Sequence, residues 1–372
     1  MRMKILLIHP DMSFYGGAEL VIVRFVNFIS KEHDVSILTK SVSKEIKKEL
    51  KNIKIITPKT KNKDNIKIRK FLENFIELRK IFEEIYNNYD VINVHNFPAE
   101  YVPFIPKPLS ENVVWYCNEP PMPIYFSKSI FSKILRKIDR FIVRKYLKFS
   151  AVADEFNAKR FEKIYGIRPE IIHYGIDYEF FSKGKKKKNR KDFVLIQVAT
   201  LTPLKNQIRS IKVVENLKEK IPGIKLFLVG WGEENYTKFL KDYVKMKKLE
   251  DNVIFTGNVS REEVRKFYKM SDIALFPVKS QGSWLSPFEA LSAGVFVIVS
   301  NQITCKDIIK KYKLGIVTNN FERAVLKVYE NKEYFENEVE RAKFWIKKNL
   351  TWKNFSQKMI SLFEKCVDKN LQ

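Results

Sequence analysis

Short apolar runs alternate with longer, amphipathic and charge-rich stretches along the 372 residues of this chain. The runs that we predict as strands are Ile5–Ile8, Val35–Leu38, Val91–Val94, Val113–Tyr116, Val194–Val198, Leu226–Val229, Val253–Phe255, Ile273–Phe276 and Val295–Val299. Helical periodicity marks the stretches between them, such as Ala18–Ile29 and Ile68–Tyr86. Strands that are separated by helices favour parallel sheets covered on both faces. The pattern therefore predicts an α/β fold.

A lysine-rich stretch lies between the two halves of this pattern. Residues 183–192 contain one glycine and a run of like charges, which cannot pack and are typical of a linker. The chain is also long for one domain. We therefore predict a first domain at 1–182, a linker at 183–192 and a second domain at 193–351. Both would be doubly wound and Rossmann-like, with a ligand cleft between them at the carboxyl ends of the strands.

The net charge of +26 indicates attraction to anionic partners. A solvated lysine-rich surface, a membrane surface and an anionic substrate each explain it, and nucleic acid is disfavoured because no nucleic-acid module is recognisable. Cys117, Cys305 and Cys366 form no metal or redox spacing, which predicts a cytoplasmic location. The sequence contains no run of eighteen apolar residues.

The segment from Gln281 to Gly294 carries the strongest functional signal. It places the carboxylate of Glu289 just after a turn-prone loop, where Pro287 and a Glu-Ala-Leu run predict the start of a helix. Backbone N–H groups in the first turn of a helix have no partner within the helix, so such a junction binds phosphates.

Four further turns follow predicted strands. Gly16 and Gly17 would allow close approach of a ligand, although a purely structural turn explains them equally. Lys205 follows the first strand of the second half, where a cation would neutralise a diphosphate. The glycines Gly230 and Gly257 stand in turns after the next two strands.

The order of these motifs resembles that of the family-4 retaining glycosyltransferases, which have the GT-B architecture of two facing Rossmann-like domains. The resemblance covers nearly the whole chain and includes Gly16-Gly17, Tyr174-Gly-Ile-Asp177, Lys205, Gly230–Gly232, Gly257 and the 281–294 segment. It also implies that a closing helix at 352–372 returns to the first domain.

The resemblance implies a role for each matching residue. Glu289 would hold the ribose of a UDP-, GDP- or similar nucleotide sugar, Lys205 would bind its diphosphate with Thr200 beside the phosphate, and Gly230 would belong to the same donor site. The backbone around Ser286, Pro287 and Phe288 would supply N–H donors to the same phosphates, and the turn at Gly257 and Asn258 would contact the base. Gly16 and Gly17 would close over the phosphate and the acceptor, a glycan or a lipid-linked sugar. No cofactor and no metal is implied, since the sequence has no Asp-x-Asp pair.

Three positions depart from the family pattern around the reacting sugar. Gln281 replaces a glutamate that faces the donor sugar, Thr200 replaces an arginine beside the phosphate, and Asn118 replaces a histidine. His95 would replace that imidazole in part, or it is a structural histidine. These changes leave two hypotheses: a metal-independent hexosyltransferase with a re-tuned sugar site, or a degenerate relative that binds nucleotide or glycan with little transfer.

The stretch 127–149 carries apolar residues at helical spacing with lysines and arginines between them. This composition suits a helix that contacts an anionic membrane from the cytoplasm. The alternative is a helix whose apolar side faces the core and whose basic side faces solvent.

Overall fold

A computed structural model describes residues 2–50, 52–59, 67–185, 191–280 and 284–369, without the side chains of 67–74 and 123. The chain divides into two compact units, one comprising 1–175 with 352–372 and the other comprising 176–351. This boundary lies before the predicted one at 182. The reason is local, because Ile176 donates its N–H to the carbonyl of Leu350 within the second unit, at 2.9 Å.

Each unit contains one parallel sheet in the part of the chain that the structure describes. The strands of the first are β1 (Lys4–Ile8), β2 (Asp34–Leu38), β3 (Lys54–Ile56), β4 (Val91–His95), β5 (Val113–Tyr116), β6 (Phe149–Val152) and β7 (Glu170–Ile171). Those of the second are β8 (Phe193–Val198), β9 (Ile224–Val229), β10 (Val253–Gly257), β11 (Ile273–Phe276), β12 (Phe296–Val299) and β13 (Ile316–Val317).

The strand orders are β3-β2-β1-β4-β5-β6-β7 and β10-β9-β8-β11-β12-β13. In both sheets the winding direction reverses beside the first strand, between β1 and β4 and between β8 and β11. This is the doubly wound order, and it confirms the predicted fold class of two Rossmann-like domains. All nine strands that we predicted are present, with bounds that differ by at most two residues at either end.

Helices connect the strands. They are α1 (Gly17–Ile29), α2 (Lys44–Glu49), α3 (Lys67–Ile85), α4 (Met122–Phe126), α5 (Ile130–Tyr146), α6 (Glu155–Tyr165), α7 (Tyr178–Ser182), α8 (Gln207–Leu217), α9 (Glu234–Met246), α10 (Arg261–Lys269), α11 (Leu285–Ser292), α12 (Lys306–Lys311), α13 (Phe321–Glu330), α14 (Lys332–Asn349) and α15 (Trp352–Lys369). Short 3-10 helices lie at Tyr86–Asn88 and Ala99–Tyr101. None of the described helices is both long and apolar enough to cross a membrane.

The last helix, α15, belongs to the first unit. Phe355 and Phe363 of α15 pack edge-on against Phe25 of α1, with ring centroids 5.3 and 6.1 Å apart. Gly175 lies against the backbone of Trp352, where a side chain would clash. Apolar burial of this kind makes α15 part of the first core.

Candidate functional site

The point of reversal between β8 and β11 brings two loops together in the second unit. Leu204 accepts a hydrogen bond at 2.9 Å from the N–H of Lys279, and the Asn206 amide donates to the carbonyl of Pro277 at 2.8 Å. The loop of Lys205 is therefore fixed to the segment that leads from β11 to α11. Doubly wound sheets bind ligands at this position.

Lys205 is half-buried, and its backbone is held on both sides. The carbonyl of Lys205 accepts from Nε2 of buried Gln197 at 2.7 Å, while its N–H donates to Thr202 at 3.0 Å. Ser210 in turn donates to Oε1 of Gln197 at 2.7 Å. These bonds fix the backbone of Lys205 to the buried side chain of Gln197 in β8.

Gly230 makes the adjoining turn possible. Its φ is +139°, and a Cβ there would clash with the carbonyl oxygen of Ala199, next to exposed Thr200. The N–H of Gly230 donates to the carbonyl of Gly257 at 3.2 Å. The structure therefore brings the turns that follow β8 and β9 together with Gly257 at the end of β10.

Gly257 and Asn258 lie at the exposed side of this group. Gly257 has a φ of +70°, and nothing lies within 4 Å of the position of a Cβ. The positive φ of the turn thus favours glycine here, whereas close packing does not require it. The missing side chain leaves space beside Asn258.

Glu289 lies in α11, and 13% of its side chain is exposed. Its carboxylate is 3.8 Å from the guanidinium of Arg261, which is 2.9 Å from the carboxylate of Asp177. Loss of solvation raises the pKa of Glu289 to about 7, the charge of Arg261 opposes this rise, and Asp177 adds to it. A carboxyl group with a pKa near neutrality beside a ligand-binding edge is a candidate binding residue. Glu289 is the fifth residue of α11, so this helix begins earlier than the sequence predicted.

The neighbours of Glu289 in α11 are held by packing. Phe288 and Pro287 are buried, and Phe288 packs on Trp284 with ring centroids 4.7 Å apart. The carbonyl of Ser286 accepts from buried Tyr268 at 3.3 Å. Pro287 has no N–H and supplies no backbone donor to this turn. Gln281 lies outside the described residues.

In the first unit, polar side chains form a directed chain of hydrogen bonds at the reversal between β1 and β4. The Tyr174 hydroxyl donates to Asn118, the Asn118 amide donates to Asn96, and the Asn96 amide lies 2.8 Å from Nε2 of His9. Burial lowers the pKa of His9 to about 4, so at neutral pH its Nε2 accepts from Asn96. Asn118 is thus held between two partners.

Gly16 and Gly17 begin α1 beside this chain. The N–H of Gly16 donates to Glu19 at 3.0 Å, and the other carboxylate oxygen of Glu19 is 3.7 Å from Nε2 of His9. Burial also raises the pKa of Glu19. Gly16 leaves little room for a side chain, because a Cβ would lie 2.9 Å from Glu19.

His95 does not join this group. It is 1% exposed, its Nε2 is 2.7 Å from Oδ1 of Asn93, and its ring stacks on Tyr116. Burial lowers the pKa of His95 to about 3. The geometry fits the structural alternative, since a ring that is enclosed on all sides has no face for a sugar.

The sequence pattern did not single out four residues that the structure places at these edges: His9, Glu19, Asn96 and Arg261. His9 and Asn96 directly follow β1 and β4, and Arg261 opens α10. His9 and Asn96 could have been found in the sequence, because each follows a strand at the point where the winding direction reverses.

Two family models match the chain in succession. Residues 15–180 match the model described as Glycosyltransferase Family 4, and residues 179–345 match Glycosyl transferases group 1. An uncharacterised glycosyltransferase of Methanocaldococcus jannaschii is 28% identical over 264 residues, which are 66% of this chain and 63% of the relative. A GDP-mannose-dependent phosphatidylinositol monomannoside mannosyltransferase of Mycobacterium tuberculosis is 24% identical over 132 residues, 34% of each chain. The chain thus aligns with less than two thirds of the length of these relatives.

A solved structure shares the fold over nearly the full length. HepE of Anabaena, crystallised with UDP-glucose, superimposes with a TM-score of 0.78 at 16% identity, covering 98% of this chain and 100% of HepE.

Proposed function

Since the chain belongs to glycosyltransferase family 4 and has the GT-B fold, we propose that it transfers a hexosyl group from a nucleoside diphosphate sugar. The acceptor is a glycan or a lipid-linked sugar, the anomeric configuration is retained, and no metal ion takes part. The observation that carries this proposal is the placement of Glu289 in α11, directly after the reversal between β8 and β11.

Glu289 and the turn around Gly257 take the nucleoside in this proposal. A carboxylate accepts two hydrogen bonds from neighbouring hydroxyls, which suits the ribose. The space beside Gly257 and exposed Asn258 takes the base. Arg261 supports the role of Glu289, because its positive charge favours the ionised carboxylate.

Lys205, Thr200 and the first turn of α11 take the diphosphate. Breaking the bond between sugar and phosphate leaves negative charge on the departing diphosphate, so fixed donors and cations at that place accelerate the step. Lys205 supplies the cation, and the N–H groups of Ser286 and Phe288 supply dipoles. Thr200 contributes a hydroxyl without charge, and Gly230 keeps the neighbouring turn close to Ala199.

The first unit supplies Gly16, Gly17 and Asn118 to the sugar and acceptor. Asn118 presents an amide whose orientation Asn96 and Tyr174 determine. A lipid-linked acceptor would be presented at a membrane, so cytoplasmic location and contact with an anionic membrane through 127–149 belong to the same proposal. Two relatives support a nucleotide sugar as the donor: one is named for dependence on GDP-mannose and one was crystallised with UDP-glucose.

The alternative is a degenerate member of the family that binds nucleotide or glycan with little transfer. Gln281, Thr200 and Asn118 motivate it, since an amide and a hydroxyl stabilise developing charge less than the carboxylate, guanidinium and imidazole that they replace. Each lost contact is worth about 1–3 kcal/mol, so three together would slow transfer by several orders of magnitude.

A panel of UDP-, GDP- and ADP-sugars tests both hypotheses. Thermal-shift measurements report binding, since a ligand at about 100 times its Kd stabilises the folded state by about 2.7 kcal/mol, and nucleotide release reports turnover. We expect one donor to stabilise the protein and to be hydrolysed, and Glu289→Ala to lose both effects while exposed Glu330→Ala keeps them. Stabilisation without turnover, with turnover raised in Gln281→Glu, would favour the degenerate alternative. No stabilisation by any donor would refute the transferase hypothesis and would leave the degenerate alternative only as a glycan-binding protein.

A further inference from the structure

The outer side of α5 exposes large apolar residues to solvent. Phe131 is 68% exposed, Ile134 52% and Phe141 57%, and Ile130 and Ile138 lie on the same side. Phe126, just before the helix, is 71% exposed. The alternative of a core-facing apolar side is therefore wrong for these residues. Neighbouring apolar side chains that stay exposed on one helix mark an interaction surface.

The opposite side of α5 is fixed to the core through a carboxylate. Asp139 is 1% exposed and accepts hydrogen bonds from Tyr101 at 2.7 Å and from Tyr125 at 2.5 Å. Ile142 and Val143 are buried on the same side. A helix that buries its one carboxylate in this way cannot rotate its apolar stripe inward without leaving the two tyrosine hydroxyls unpaired.

The charge of the exposed surface has one sign. Residues 127–149 carry eight basic side chains, and Asp139 is their one acid. Lys137, Arg140, Arg144 and Lys145 surround Phe141 in a surface hollow of about 540 Å³. The Lys145 ammonium lies 5.4 Å from the centre of the Phe141 ring. Cations thus stand directly beside the apolar stripe, as they do in helices that lie at a lipid interface.

We propose that the outer side of α5, with Phe126, docks into the interface of an anionic lipid bilayer. The apolar stripe enters the boundary between headgroups and acyl chains, and the flanking lysines and arginines bind lipid phosphates. A nucleic acid would match the charge but would leave the apolar stripe in water. A second copy would bring two basic surfaces together in a chain of net charge +26. An anionic bilayer satisfies both features.

Co-sedimentation of the full chain with vesicles tests this docking. We expect binding to vesicles of phosphatidylcholine mixed with phosphatidylglycerol, and at least about tenfold weaker binding to phosphatidylcholine alone or in high salt. Phe131→Ser with Ile138→Ser, and separately Lys137→Glu with Lys145→Glu, should each weaken binding to the mixed vesicles by at least about tenfold. Lys238→Glu with Lys245→Glu, on exposed positions of α9, makes the same charge change elsewhere and should bind like the wild type.

The altered positions on α5 are exposed, so thermal unfolding of the variants should match that of the wild type. Equal binding by wild type and both α5 variants would overturn the proposal. Absence of vesicle binding would overturn the proposal in favour of a protein partner. If the chain without vesicles sediments as a dimer and Phe131→Ser dissociates that dimer, the proposal would be overturned in favour of self-association.

This proposal rests on the membrane contact in the proposed function and specifies it. Nucleotide-sugar stabilisation is measured without vesicles, so failure of one is distinguishable from failure of the other.

Discussion

The guanidinium of Arg261, at the start of α10, lies 3.8 Å from the carboxylate of Glu289 in α11. The same guanidinium is 2.9 Å from Asp177 and stacks near the rings of Phe180 and Phe181. Arg261 therefore has a fixed place beside Glu289. Its charge partly offsets the loss of solvation that raises the pKa of that carboxyl to about 7.

The stability of the free protein should reflect this raised pKa. A carboxyl group whose pKa is higher in the folded state binds more protons there than in the unfolded state. Its contribution to the free energy of unfolding therefore falls as the pH rises from about 4.5 to 7. Glu289→Gln cannot ionise. We therefore expect the free energy of unfolding of Glu289→Gln, measured with urea, to rise relative to that of the wild type by up to about 3 kcal/mol between pH 4.5 and pH 8. A difference that stays constant with pH would contradict the raised pKa.

Removing Arg261 should move the pH dependence of donor binding upward. Arg261→Met deletes the charge that lowers the pKa of Glu289, so ionisation of the carboxylate, and donor affinity with it, should require higher pH. Affinity measured by calorimetry across pH 6–9 checks this. Arg265→Met removes a neighbouring arginine that pairs with Glu262 and should leave the midpoint unchanged. An unshifted midpoint in Arg261→Met would show that Arg261 does not tune Glu289.

Gly230 and Gly257 should respond differently to alanine. Gly230→Ala places a Cβ against the carbonyl of Ala199 at a φ of +139°, whereas Gly257→Ala meets nothing within 4 Å at a φ of +70°. We expect the first change to lower the free energy of unfolding by more than about 3 kcal/mol and the second by about 1 kcal/mol. Chemical denaturation measures both. Equal losses would argue against the close approach of the turns after β8 and β9.

Asn118→Ala should cost stability as well as any activity. The change leaves the Tyr174 hydroxyl and the Asn96 amide without one partner each, in a part of the first unit where Tyr174 is 8% exposed. We expect a loss of about 1–3 kcal/mol in the free energy of unfolding. Tyr174→Phe removes one hydroxyl and keeps Asn118, so its cost should be smaller. An unchanged stability of Asn118→Ala would show that the amide does not hold this chain together.

The apolar runs made the main strands predictable, whereas the shortest strands had no such signal. β7 and β13 have two residues each, and β3 has three, too few for a periodic pattern. β6 begins at Phe149, which the pattern assigned to the preceding helical stretch. Edge strands of this length are defined by pairing with a neighbour, which sequence alone does not supply.

The side-chain environment of single residues was less predictable than the fold. Amphipathicity of 127–149 indicates two sides of a helix but not which one faces the core, and the carboxylate of Asp139 decided it through two tyrosines distant in sequence. His95 is the last residue of β4, at the end of the strand where ligands bind, yet the neighbouring strand and Asn93 enclose it. Glu289 was predictable from its motif, but its partner Arg261 lies 28 residues earlier in the chain.

Calorimetric titration of UDP and GDP into the wild type and into Glu289→Ala is the most direct test of the nucleotide-sugar site. We expect one of the two nucleotides to bind saturably. We also expect Glu289→Ala to weaken this binding about 10- to 100-fold, because a hydrogen bond to a charged group contributes about 1.5–3 kcal/mol. Failure of both nucleotides to bind, or equal affinity in Glu289→Ala, would contradict the assignment of this edge of the second sheet as a nucleotide-sugar site.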